Sequence, residues 1–112
     1  MVNEEERMEK IALAELKEKI SHFLYRHFID FERDKGVIIN NTVLRPAFYL
    51  NKEGIIIDCF RTAEPNNEDF AQKATLYLED GVKFLPMDLR MFASRNVDQA
   101  LREQLPKLGC SV

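Results

Sequence analysis

Apolar and polar positions recur with two different periods along the chain, and the changes of period divide it into elements. From Glu4 to about His27, the residues Leu13, Leu16, Ile20, Phe23 and Leu24 recur three or four apart and fall on one stripe of a long amphipathic helix. At about 100° per residue, Glu9 and His27 project onto the middle of that stripe, while Glu15 and Glu18 fall on the solvent side. Glu9 is the unexpected carboxylate of this helix.

The period becomes two at Ile29-Asp30-Phe31-Glu32-Arg33, which predicts a strand. Val37-Ile38-Ile39 then runs into Asn40-Asn41, a pair that tolerates positive φ in a tight hairpin turn. Val43 to Leu50 reads as the returning strand, with Pro46 marking an edge position or a break in its ladder. Asn51-Lys52-Glu53-Gly54 turns the chain into Ile55 to Phe60, whose nearly unbroken run of apolar, β-branched residues predicts a central strand covered on both faces.

Arg61 to Asn66 is a loop containing Pro65, after which Asn66 or Asn67 can cap a helix through Phe70, Ala74, Tyr77 and Leu78 that closes at Gly81. Val82 to Met87 predicts a further strand, and Asp88 can cap a brief helical turn. Asn96-Val97-Asp98-Gln99 resembles a capping box opening a last helix, with Val97, Leu101 and Leu105 in register before Pro106. Helix, antiparallel strands, helix, strand, helix is the order of an α/β domain in two or three layers.

A chain of 112 residues accommodates one such domain. Its 46% apolar and 31% charged residues exclude a disordered or collagenous chain. A net charge of −3 provides no global basic field to draw the molecule onto nucleic acid. Cys59 and Cys110 lack metal-ligand spacing and are expected to be unpaired, and His22 and His27 lie on different faces of their helix. With no signal peptide, lipidation motif or apolar stretch long enough to span a bilayer, a cytoplasmic protein without a membrane partner is expected.

Asp58 interrupts the apolar run Ile55-Ile56-Ile57-Asp58-Cys59-Phe60. An unpartnered buried carboxylate costs on the order of several kcal/mol, so its surroundings must account for it. Either it sits half solvated near the strand end, bonded to a loop N–H or paired with Arg45 or Arg61, or it is a metal ligand.

Together with the order of elements, that run and Arg45-Pro46-Ala47-Phe48-Tyr49-Leu50 resemble the PD-(D/E)XK nuclease superfamily over most of the chain. In that family a meander carries Pro-Asp-Phe-Tyr-Leu or similar, and the strand after the turn has the form Ile-x-Ile-Glu-x-Lys. The resemblance implies a restriction-endonuclease-like fold: α/β, with a central mixed β-sheet of about four or five strands flanked by helices in α-β-β-β-α-β-α order. It further implies hydrolysis of nucleic-acid phosphodiesters with Mg²⁺, held by Asp58 and a second carboxylate on the adjoining strand.

Two positions depart from the family pattern: Ala47 stands where the first aspartate would be, and Phe60 where the lysine would be. Some branches carry the lysine on the following helix, and Lys73 matches that arrangement; a snorkelling lysine covering the core edge is the competing account. Glu9 matches an auxiliary acidic residue that many members keep on the first helix, or is a first-turn glutamate reaching solvent. Alanine cannot ligate a cation, so little or no cleavage is expected from the chain as written. The alternative is a pseudo-nuclease module that binds DNA, a protein partner or a second copy of itself. Arg45, Arg61, Arg90 and Arg95 lie after or beside strand ends and are the candidate phosphate contacts, with scattered surface solvation as the competing account.

Overall fold

In the computed structural model, which describes residues 3–90 and 97–112, Asn3 caps the first helix by accepting the Glu6 N–H at 2.8 Å. Glu4, Glu5 and Glu6 fill the first turn, where negative charge suits the helix dipole. This helix, α1 (Glu4–Arg26), buries Leu16, Ile20, Phe23 and Leu24. His27, from the same stripe, stacks on Phe23 with ring centroids 4.2 Å apart.

The strands follow as β1 (Phe31–Arg33), β2 (Val37–Ile39), β3 (Thr42–Leu44), β4 (Phe48–Leu50) and β5 (Ile55–Phe60). After α2 (Glu68–Glu79) come β6 (Lys83–Asp88), α3 (Val97–Gln104) and a 3-10 turn at Pro106–Leu108. A mixed four-stranded sheet has the order β1-β4-β5-β6, antiparallel at its first two junctions and parallel between β5 and β6. The predicted central strand is therefore central.

The expected single strand from Val43 to Leu50 is instead two strands in different sheets. Thr42–Leu44 pairs with β2, forming a separate hairpin about Asn40 (φ 49°) and Asn41 (φ 61°), whereas Phe48–Leu50 lies between β1 and β5. Pro46 accounts for the break, since it has no N–H to give a ladder and restricts Arg45 before it.

Helices cover both faces of the sheet. On one, the α1 stripe meets Phe48, Leu50, Ile55, Ile57, Leu85 and Met87, joined by Val97, Leu101 and Leu105. On the other, Ile56 packs with Tyr77 of α2 and Ile39 of the hairpin. The result is an α/β domain with a mixed sheet between helical layers.

Both α1 and α2 end in a left-handed residue with the same pair of closing bonds. After α2, Gly81 (φ 70°) donates to the Leu78 carbonyl and Val82 to that of Tyr77. After α1, Phe28 (φ 56°) donates to Tyr25 and Ile29 to Leu24. Glycine takes this conformation without a Cβ clash, whereas Phe28 takes it with its ring 95% exposed.

Asn67, of the two candidate caps, accepts the Phe70 N–H at 3.2 Å, and Asp88 accepts the Arg90 N–H at 3.0 Å as a capping residue would. Asn96 of the expected capping box and the candidate contact Arg95 lie outside the described residues.

Candidate functional site

Asp58 sits in β5 at 6% exposure. One step beyond the pair Phe48 and Ile57, the antiparallel register sets Ala47 opposite it. Asp58 Oδ1 accepts two backbone N–H groups, from Ala47 at 3.2 Å and Cys59 at 2.9 Å. Its other oxygen, Oδ2, is buried without a hydrogen bond among the described residues.

Alternation along β5 turns Asp58 to the face of Ile56 and Phe60, toward α2. Lys73 comes from that helix, its Nζ 4.0 Å from Asp58 Oδ2 and 3.3 Å from Asp69, one turn earlier. The ammonium also lies 5.7 Å from the centre of the Phe60 ring. Phe60 thus supports Lys73 of α2 by a cation–π contact. Lys73 is one-third exposed, so it both covers the core edge and reaches the buried carboxylate.

Burial raises the Asp58 pKa above the ordinary carboxylate value, and the charge of Lys73, the two N–H groups and Lys17 pull part of the way back. Lys17, half-buried on α1, was not singled out from the sequence. Its signal was available, because it lies four residues after Leu13 and three before Ile20 on the apolar stripe. Cys59 faces the opposite side, where burial and the neighbouring Asp58 push its thiol up to about 12, leaving it neutral and unreactive. Tyr77, wholly buried on α2, has its phenol raised by burial first and by Asp58 and Asp69 after that.

The remaining candidates have partners elsewhere. Glu9 pairs with Arg61 at 3.4 Å, joining α1 to the residue after β5. Arg61 also borders an open cleft with Leu13, Phe60, Asn67 and Asp69. Arg45 donates to the Asp34 carbonyl at 3.4 Å. Arg90 is bound to Glu64 and to Asp88, the latter at 2.6 Å. Asp88, 2% exposed, also accepts the Ala63 N–H at 3.0 Å and so fastens the loop after β5 to the end of β6.

A resident Mg²⁺ demands several oxygen ligands in an octahedron, usually with more than one carboxylate or a substrate phosphate among them. Asp58 offers a single free oxygen, with an ammonium 4.0 Å away, and position 47 adds only a methyl group. Among the described residues, no three His, Cys, Asp or Glu side chains gather where they could hold a metal ion. The donor set does not fit a resident divalent cation. Nor, among these residues, is any helix long and apolar enough to cross a membrane.

No family model matches the chain, and no curated protein or solved structure matches it either.

Proposed function

We propose that this chain is a nuclease-like domain of the PD-(D/E)XK type that binds nucleic acid without cutting it, its metal site disabled at Ala47. The observation that carries this reading is the register: Ala47 stands opposite Asp58 and donates its N–H to it at 3.2 Å. An aspartate at that position would bring a second carboxylate beside the first, as two-carboxylate chemistry on a phosphodiester requires.

Two further features support it. With the β2–β3 hairpin set aside as an insertion, the elements run α-β-β-β-α-β-α and the sheet is mixed. Lys73 reaches Asp58 from the helix that follows, the arrangement of the branches with a migrated lysine. In this reading Asp58 and Lys73 have become a structural pair, while Arg61 at the cleft supplies a phosphate contact.

The test is nicking of supercoiled DNA in Mg²⁺ or Mn²⁺. The chain as written should leave the plasmid intact, and Ala47→Asp should nick it only with metal present. An Ala47→Asp protein that folds but is inert with every divalent metal would remove the basis of the proposal.

A second reading, a module that binds a protein partner or another copy of itself, is favoured by the rings of Tyr25 and Phe28, 78% and 95% exposed at the end of α1. Sedimentation together with salt-dependent DNA binding separates the two. A self-associating protein with no affinity for DNA at low salt supports the second.

A further inference from the structure

Asp58 Oδ2 and the Tyr77 hydroxyl are both buried, and neither has a hydrogen-bond partner among the described residues. They belong to the same side of the sheet. Ile56, two residues before Asp58, packs with Tyr77, and the charge of Asp58 acts on the phenol. Burying one unmet polar group is costly, and two together call for a common explanation.

The surrounding charges narrow what could meet them. Asp58 Oδ1 already accepts from Ala47 and Cys59. Lys73 lies 4.0 Å from Oδ2, beyond hydrogen-bonding distance, and is drawn to Asp69 at 3.3 Å. With Ala47 opposite it, Asp58 has no second carboxylate there to share a metal ion, and an anion would sit against the Asp58 carboxylate. A carboxylate oxygen only accepts, whereas a phenol O–H donates and also accepts. A small neutral molecule that donates to the first and accepts from the second satisfies both.

We propose that one internal water molecule is a fixed component of this domain, donating to Asp58 Oδ2 and accepting from the Tyr77 O–H. A buried polar site with several partners retains such a water, unlike an apolar cavity of the same size. The water completes a chain of hydrogen bonds from the Ala47 N–H through Asp58 to Tyr77, fastening β4 and β5 to α2. Lys73 closes the solvent side, and Lys17 contributes positive charge from α1. The inference rests on the two unmet groups and their shared side of the sheet, and not on the nuclease reading.

Tyr77→Phe and a high-resolution crystal structure of the unaltered chain test it. If the hydroxyl is bridged, Tyr77→Phe lowers the folding equilibrium constant about fivefold in denaturant titrations. If the hydroxyl is unmet, the same change removes a buried unsatisfied group and leaves stability unchanged or higher, which overturns the proposal. The crystal structure should show one ordered water within hydrogen-bonding distance of both oxygens. A direct bond from Tyr77 to Asp58, or an empty contact between them, contradicts it even if the phenylalanine variant fails to fold.

Discussion

Asp58 and Asp88 are both buried, yet their surroundings act on them in opposite directions. At Asp88 burial raises the pKa, but the hydrogen bonds from Arg90 and Ala63 together with the Arg90 charge outweigh it and hold the carboxyl below the ordinary carboxylate range. The sign follows. A carboxyl depressed on folding adds stability above its unfolded pKa, and that stability disappears as pH falls through the lower folded value. Asp88→Asn should therefore flatten the acid limb of stability against pH, measured by urea titration below about pH 4; an unchanged limb would contradict this assignment. Asp58→Ala strands the N–H groups of Ala47 and Cys59 and should cost about 2 kcal/mol in the same assay at neutral pH. At this scale the sequence made Asp58 conspicuous, because a carboxylate within an isoleucine run has no routine explanation. Asp88, Lys17 and Tyr77 were less legible: their importance depends on which neighbours the fold brings to them, and local spacing reveals neighbours only within one element.

Helix ends show how far local pattern carries. Gly81 was readable as a stop signal because glycine suits the left-handed position that closes α2. Phe28 occupies the equivalent position after α1 and gives no such signal, since phenylalanine is disfavoured there. Phe28→Gly should stabilise the domain by about 1 kcal/mol, and Gly81→Ala should destabilise it by about the same amount; thermal denaturation of the two variants should move in opposite directions. A loss of stability in Phe28→Gly would show that the exposed ring makes a contact that matters to the fold. The split of Val43 to Leu50 into β3 and β4 has a similar lesson. Pro46 announced a break, but only pairing partners distant in sequence determine that one piece joins a hairpin and the other the main sheet.

For the whole molecule, periodicity was enough to give the order of helices and strands apart from the split of Val43 to Leu50, the central place of β5 and the apolar stripe of α1, because these follow from residue spacing. Convergence of Lys73 on Asp58 came from matching the pattern of a family, and its geometry depends on how α2 lies across the sheet. Glu9 matched that pattern equally well, yet its partner is Arg61. On the proposed function, a nuclease-like metal site lacks one carboxylate, at Ala47. Calorimetric titration with Mn²⁺ tests it most directly. The chain as written should release no binding heat, Ala47→Asp should bind the ion, and adding Asp58→Asn to that variant should abolish binding. An Ala47→Asp protein that stays silent, or one whose binding persists without Asp58, would contradict the account.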